Sequence, residues 1–412
     1  MSGRAVVIGA GITGVAAALW LQRAGWSATL IDRVPPGDPA QTSFGNAGLL
    51  ARASVVPVST PGLIWRAPRM LLDPDAPLFL RWRYLPRLIP WLVPFLRNGS
   101  RRRVEKIAQA LVRMTGDAVD QHKALARDTP AERLIRQGEY IYLYASRKAA
   151  KKDSFGMALR QAYGFAPEER DAEALRAADP ALGPGARYGL ALPDHGWITD
   201  PGGYVGALAA SFRDRGGTMR QAEIADIAPG RAVLAGGETI AADRIILTSG
   251  VWSRILAERL GMRMPLESER GYHLMLRSPS LLPPTPYMIA DSSFVATPMA
   301  AGMRLAGILE FGGTTAPASS APFDLLRRAI RRVYPGLSWQ AEERWMGHRP
   351  SLPDSLPVLG IHPRHPGIVH AYGGQHVGLT IGPRLGRLAA ALASEGRVNE
   401  DLAAFAPDRF SG

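Results

Sequence analysis

Three glycines near the start of the chain, Gly9, Gly11 and Gly14 in the segment GAGITG, carry the first chemistry that residue type and spacing suggest. Between a strand and a helix, such a trio holds a pyrophosphate. The first glycine permits the tight turn, the second lets the backbone approach the phosphates, and the third lets helix pack closely on strand. Ile12 and Thr13 lie in the turn that leads into a helix, whose N–H groups and partial positive charge face the same phosphates. Asp32 stands at about the 20-residue offset where an acid accepts hydrogen bonds from ribose hydroxyls. A carboxylate there disfavours a 2′-phosphate, although Arg33 beside it would tolerate one.

The elements that must position these groups are legible in the same stretch. Arg4–Ile8 (RAVVI) is a short β-branched run of the kind that forms a strand buried on both faces. A helical pattern from Val15 to Ala24 ends at Gly25, and a second apolar strand, Ala28–Ile31, ends at Asp32. Residues 1–25 could also pass for a secretory leader, with one Arg before an apolar run; strand, glycine turn and helix are the better reading.

Composition bounds the rest. The chain has 412 residues, 46% hydrophobic, with no cysteine. That length suggests two domains, or one large domain with an insertion. Disulfides, thiolate zinc sites, iron–sulfur clusters and cysteine nucleophiles are excluded. None of the eight His residues has zincin-like spacing, so no metal site is expected. The net charge of +13 invites a nucleic-acid reading, but only five of the 49 basic residues are Lys and no recognition motif is present. The one basic cluster, between Gly62 and Lys106, has ten basic residues against three acidic.

Three later segments bear on which dinucleotide is bound. Thr42–Gly48 (TSFGNAG) is a polar, small-residue stretch after the second strand. Arg244–Ser253 (RIILTSGVWS) is a strand ending in Ser249 and Gly250, followed by Trp252. Ala371–Leu388 (AYGGQHVGLTIGPRLGRL) is a glycine-rich turn leading into a helix. With Gly189–Gly203 (GLALPDHGWITDPGG), Glu269–Leu276 (ERGYHLML), Ala306–Gly313 (AGILEFGG) and Gly347–Gly360 (GHRPSLPDSLPVLG), in this order, the chain resembles the glycine oxidase/D-amino acid oxidase superfamily of FAD-dependent flavoproteins, and within it the bacterial D-amino acid dehydrogenases. The resemblance implies an α/β (mixed α+β) fold: a glutathione-reductase-like, FAD-binding Rossmann domain and a discontinuous substrate domain on a mostly antiparallel sheet. The expected FAD domain comprises 1–55, 191–261 and 344–412, and the substrate domain 56–190 and 262–343. Short strands turning at Pro229–Gly230 and Gly236–Gly237 read as the β-meander of such a domain. The adenine is expected near Glu223–Ile224. Thr42, Ser43, Asn46, Ala47, Gly48 and Leu49 are expected to contact the FAD, as are Ser249, Gly250 and Trp252. Without cysteine the FAD is expected to be non-covalent, a histidyl link being the remaining alternative.

The family's reaction removes the Cα hydrogen of an amino acid as hydride to flavin N5, leaving an imine that hydrolyses to an oxo acid or stays cyclic. A substrate carboxylate needs a cation, and Arg binds it bidentately. Arg349 matches the position where glycine oxidase-like proteins carry that Arg; Arg52, shortly after the flavin stretch, is a second candidate. The turn Gly374–Thr380, with Gly374, Gly378, Leu379 and Thr380, can present N–H groups to the flavin's N1 side. Tyr272 and His273 follow Gly271 on one strand, and alternation points only one inward; the resemblance favours Tyr272. His376 and His348 are further candidates. The expected substrate is a small D-amino or imino acid such as D-proline or hydroxy-D-proline. The absence of Lys after position 152 favours a quinone or carrier over oxygen as electron acceptor. An oxygen-using amine oxidase and a non-catalytic flavin subunit are the alternatives. The expected location is cytoplasmic. The basic aromatic run Leu78–Leu96, broken by Pro86, Pro90 and Pro94, is too short to span a bilayer and is read as substrate-domain helix, with contact to the inner membrane face as the other possibility.

Overall fold

The computed structural model describes residues 3–73 and 75–411. Arg4–Ile8 forms the centre of a six-stranded sheet, paired in parallel with Ser27–Asp32 on one side and Arg244–Leu247 on the other. Thr218–Gln221 extends one edge; His365–Tyr372 and then Val358–His362 extend the other. Buried β-branched and Leu side chains on both faces explain the strand runs: Val7, Leu30 and Ile246 face the helices, whereas Val6, Ile31 and Ile245 face a second apolar cluster.

Two helices, Ile12–Arg23 and Gly378–Glu395, pack on this sheet and on each other. Glycines set how closely they approach. A Cβ at Gly386 would lie 2.6 Å from both the Thr13 carbonyl oxygen and Ala16 Cβ, and one at Gly382 would lie 2.6 Å from Ile12 Cγ2. The three-stranded meander Ile224–Ala228, Arg231–Leu234 and Thr239–Ala241 forms where its turn residues indicate.

The second layer is a ten-stranded, mostly antiparallel sheet. Its main path runs from Ala341–Ser351 through Glu267–Arg277, Gly302–Phe311, Phe294–Met299, Tyr287–Ile289, Ile135–Tyr144 and Tyr188–Ile198 to Leu49–Leu50. One face is covered by helix Ala321–Val333 through Phe323, Leu326 and Ile330. The opposite face looks towards the nucleotide sheet.

The domain boundaries expected at 190/191 and 343/344 fall inside the strands Tyr188–Ile198 and Ala341–Ser351. Helices Arg101–Thr115 and Ala118–Ala126, expected in the substrate domain, pack instead on the nucleotide domain. Their Ile107, Leu111, Met114 and Leu125 join the core of Val15, Leu19 and Leu385. An amphipathic helix goes to the nearest apolar face, and here the C-terminal helix supplies it.

The basic aromatic run divides. Leu78–Leu80 pairs with Gly302–Phe311, and Leu85–Arg97 is helical despite Pro90 and Pro94, burying Leu88, Trp91 and Phe95. Trp91 thus enters the core, whereas Trp82 is 60% exposed and lies outside it. The preceding helix, Leu63–Leu72, buries none of its residues. Among the described residues, no helix is long and apolar enough to cross a membrane.

Candidate active site

A cavity of about 640 Å³ lies between the two sheets, within the roughly 300–1,000 Å³ typical of ligand sites. Its first end is the glycine turn. Gly9 has φ +103°, and a Cβ there would meet the Thr248 carbonyl oxygen at 2.7 Å and Ser249 Cα at 2.8 Å. A Cβ at Gly14 would overlap the Gly9 carbonyl oxygen and approach Thr248 Oγ1 to 2.7 Å. Gly14 is therefore the packing glycine, while Gly9, Gly11, Ile12 and Thr13 line the cavity. The Ile12 N–H donates to Ser43 Oγ at 3.0 Å, which ties the helix start to the 42–49 stretch.

Asp32 sits at the tip of its strand. Its Oδ2 accepts from the Ala10 N–H (2.7 Å) and Gln41 Nε2 (3.0 Å), which fixes the carboxylate at the cavity wall. Arg33 lies over the Trp252 ring, 3.9 Å from its centroid. Together with Glu223, Ile224, Ser249 and Gly250 this pair lines the same end of the cavity, where the adenine is expected. Thr42 Oγ1 donates to the His348 carbonyl at 2.8 Å, and Asn46, Ala47 and Leu49 continue the wall. Gly48 does not line the cavity. Its φ is +78°, and a Cβ would meet the Ile198 carbonyl oxygen at 2.6 Å, so its place is set by chain packing.

Opposite, Gly373 (φ +84°) and Gln375 (φ +49°) turn the chain into the helix Gly378–Glu395, whose start opens on the cavity with Gly374, Gly378, Leu379 and Thr380. Thr380 Oγ1 donates to the Leu49 carbonyl (3.0 Å) and accepts from the Ala51 N–H (3.3 Å). His122 supports the turn from behind. Its Nε2–H donates to the Leu379 carbonyl at 2.9 Å, and Nδ1 accepts from Tyr204 Oη at 3.0 Å. Burial holds its pKa at about 4, so the ring is neutral, as those two bonds require.

The large sheet supplies the face with reactive side chains. Arg349 pairs in register with Glu269, and both line the cavity. The Arg349 guanidinium lies across Gly271; a Cβ there would be 2.5 Å from its Nε and 2.7 Å from its Cζ. Among the described residues no hydrogen-bond or ion-pair partner holds that guanidinium within 4 Å. Burial lowers the Arg349 pKa, and Glu269 opposes this. Glu269 is 1% exposed, accepts from Ser351 Oγ at 2.8 Å, and is pushed up by burial while Arg349 pulls it down. His376 has open surface, but that surface faces the protein-lined cavity. Burial and the Arg349 charge together hold its pKa at about 4.

Several expected residues lie elsewhere. Tyr272 points to the far face of the sheet: its hydroxyl donates to Glu310 Oε2 at 2.6 Å, its ring meets Phe323, and it does not line the cavity. His273 points to the near side but behind the wall, with Nδ1 2.9 Å from the Gly45 carbonyl and its ring stacked on Trp345. Arg52 leaves the cavity altogether. Its Nε donates to the Gly116 carbonyl at 2.7 Å and a terminal nitrogen to the Asp194 carbonyl at 3.1 Å, beside a smaller cleft. His348 is held by Ser268 Oγ at Nδ1 (2.8 Å) with its ring edge-on to Trp252. Sequence reasoning missed Glu269, which alternation from Gly271 places on the cavity side. It also missed Tyr140, Tyr142 and Arg160, which line the deep end and which no local pattern marks.

A glycine cradle for a dinucleotide, facing a substrate sheet across one cavity, defines a nucleotide-dependent oxidoreductase. Residues 4–392 match the family model "DAO: FAD dependent oxidoreductase", and the chain belongs to that family. It is similar to a D-amino-acid oxidase of Bradyrhizobium diazoefficiens (36% identical over 413 residues, 98% of each chain). A D-amino acid dehydrogenase of Sinorhizobium medicae is 28% identical over 419 residues, covering 99% of this chain and 100% of the relative. In fold it is similar to glycine oxidase from Geobacillus kaustophilus (TM-score 0.73, 21% identity, 99% of each chain covered). The L-proline dehydrogenase of P. horikoshii gives a TM-score of 0.74 at 16% identity, over 100% of this chain and 98% of the other. FAD fits the residues present, since the crowding at Gly9 and Gly14 leaves backbone in place of side chain where a pyrophosphate must approach.

Proposed function

We propose that the protein dehydrogenates a small D-amino or imino acid at Cα, giving an imine that hydrolyses to an oxo acid or remains a cyclic imine. The observation that carries this reading is Arg349: a partly buried guanidinium on the cavity wall, laid flat over Gly271 and with no protein carboxylate bound to it. A substrate carboxylate makes two parallel hydrogen bonds to such a fork. FAD, when bound non-covalently, supplies the hydride acceptor. His376, neutral at physiological pH, can accept a hydrogen bond from the substrate amine at a ring nitrogen and keep the amine oriented. Glu269 sets the local charge so that Arg349 is not isolated in a dry cavity. The D preference rests on the names of the relatives; D-proline and hydroxy-D-proline are within the proposed class.

The acceptor is proposed to be a quinone or comparable carrier at the inner face of the cytoplasmic membrane. Among the described residues no Lys lines the cavity. Six of the eight most exposed large apolar side chains of the described residues (Ile64, Trp65, Leu72, Trp82, Ile89 and Val93) fall within one stretch, interleaved with exposed Arg66, Arg69, Arg83 and Arg87. That mixture suits an anionic lipid surface. Val58 packs in the same cluster as Leu88 and Trp91 and also lines the cavity, which links the patch to the site. The 36% identical relative named an oxidase supports a second reading, with oxygen as acceptor.

Anaerobic bleaching of the flavin by a panel of D- and L-amino acids tests the reaction. Reduction by D-amino acids alone is expected, and reduction only by L-amino acids or by none would reject it. Re-oxidation under air against a soluble quinone then separates the acceptors: rapid peroxide release selects the oxidase reading. Sedimentation with anionic vesicles, weakened by Trp65→Ser, tests the membrane contact.

A further inference from the structure

The deep end of the cavity contains a second cation that the proposed reaction does not use. Arg160, on helix Ser154–Ala162, is 8% exposed and lines the cavity together with Tyr140 and Tyr142 of the strand Ile135–Tyr144. Its Cζ lies 4.9 Å from the centre of the Tyr142 ring. Its Nε is buried without a hydrogen-bond partner. Its polar neighbours are few: one terminal nitrogen is 3.8 Å from Met157 Sδ and 3.7 Å from Asp153 Oδ2, and the Asp153 side chain is 41% exposed. A long ion pair to an acid at the surface compensates a buried guanidinium weakly.

The rest of that end is apolar or hydroxylic: Val56, Met288, Val295 and Leu309 with Ser54 and Ser293. The acidic residues lining the cavity are Asp32 and Glu223 at the adenosine end and Glu269 beside Arg349. Arg349 and Tyr142 stand on different strands of one sheet, with Glu267–Arg277, Gly302–Phe311, Phe294–Met299 and Tyr287–Ile289 between them. The cavity is thus positive at two separated places on the substrate face: Arg349, with the buried Glu269 beside it, and Arg160, whose nearest carboxylate is the half-exposed Asp153 at the long distance of 3.7 Å.

Resting on the reading of Arg349 as carboxylate anchor, we propose that Arg160, Tyr140 and Tyr142 form a specificity site for an anionic group at the far end of the substrate side chain. The favoured substrates are then D-amino acids with an ω-carboxylate. A guanidinium with two tyrosine hydroxyls offers charge and hydrogen bonds together, the combination that discriminates a carboxylate from its neutral isostere.

The test uses the FAD-loaded protein and needs no turnover. Succinate, glutarate and adipate are titrated against butyrate, with binding read from the flavin absorbance. At least one dicarboxylate is expected to bind about 10- to 100-fold more tightly than butyrate, the worth of one charge-assisted contact. Arg160→Gln removes that advantage and leaves butyrate binding unchanged; Tyr142→Phe reduces it in part. Equal affinity for butyrate and every dicarboxylate in the unmodified protein overturns the proposal, whatever the variants do. In turnover, D-glutamate or D-2-aminoadipate is expected to exceed its side-chain amide in kcat/KM. Neutral D-amino acids turned over as well as acidic ones would remove the Arg160 site while leaving the Arg349 reading intact. Butyrate that fails to perturb the flavin would instead count against Arg349.

Discussion

The Arg349 guanidinium occupies the space that a side chain at residue 271 would fill, with its Nε, Cζ and one terminal nitrogen within 2.5–2.8 Å of a Cβ built on Gly271. The glycine of one strand therefore sets the pose of the arginine on the next. Gly271→Ala is expected to displace the fork and raise KM by roughly 10- to 100-fold with FAD content unchanged, since a small misplacement of an orienting group is costly. Steady-state kinetics with a flavin-to-protein absorbance ratio checks it, and an unchanged KM would show that Arg349 has another resting place.

Arg349 itself is expected to be more sensitive. Truncation to Ala should lower kcat/KM by about 10²- to 10³-fold, the loss of a charge-paired contact in a desolvated site. Arg349→Lys keeps the charge but not the planar fork, and should recover only part of the activity. Full activity in the Lys variant would mean that geometry at this position is unimportant.

The cofactor cradle can be broken without touching any charged group. Gly14→Ala places a methyl against the Gly9 carbonyl and Thr248 Oγ1. The expected product is a colourless or weakly coloured protein with a lower Tm, because helix and strand must separate where the pyrophosphate binds. A yellow protein of normal Tm would contradict the crowding described at this turn.

Acid should destabilise the fold through its buried imidazoles. Burial holds His122, His195 and His348 at about 4 and His370 at about 3, against about 6.5 in an unfolded chain. Between these values the unfolded chain binds more protons than the folded one, so stability falls as pH drops from about 6.5 towards 4. For His122 alone the shift is worth roughly 3 kcal/mol. The raised pKa of Glu269 works in the opposite sense. Tm measured from pH 7 to pH 4.5 should decline, and less steeply in His122→Gln, which keeps a donor towards Leu379. Identical slopes would exclude His122 from the effect.

What was legible in the sequence is what local geometry dictates. Gly9, Gly11, Gly14 and Asp32 act within one strand–turn–helix unit, and the turn at Gly374 sets the start of its own helix, so spacing suffices. Tyr272 shows the limit. Alternation establishes that Tyr272 and His273 face opposite ways, but the choice of side depends on Gly271 making room for Arg349 and on Glu310 holding the Tyr272 hydroxyl. Both partners come from other strands. Arg52 was misplaced for the same reason, since its carbonyl partners Gly116 and Asp194 are distant in sequence. Arg160 and Tyr142 meet only because a helix folds over the end of a sheet. The expected domain boundaries fall inside two strands because nothing in the composition changes along them.

The arrangement of the nucleotide sheet also dictates an order of events during synthesis. Arg4–Ile8 needs Arg244–Leu247 to complete its pairing, and the helix that follows it packs on Pro201–Asp214 and, at its glycine contacts, on Gly378–Glu395. The glycine turn is therefore made well before the two segments that close its site. The cavity is therefore expected to close late in folding, and long-range parallel pairing of this kind leaves apolar strands exposed until it does. A chain truncated before Gly378 is expected to expose that apolar face and to purify without flavin, because the helix supplies both the packing surface and one wall of the cavity.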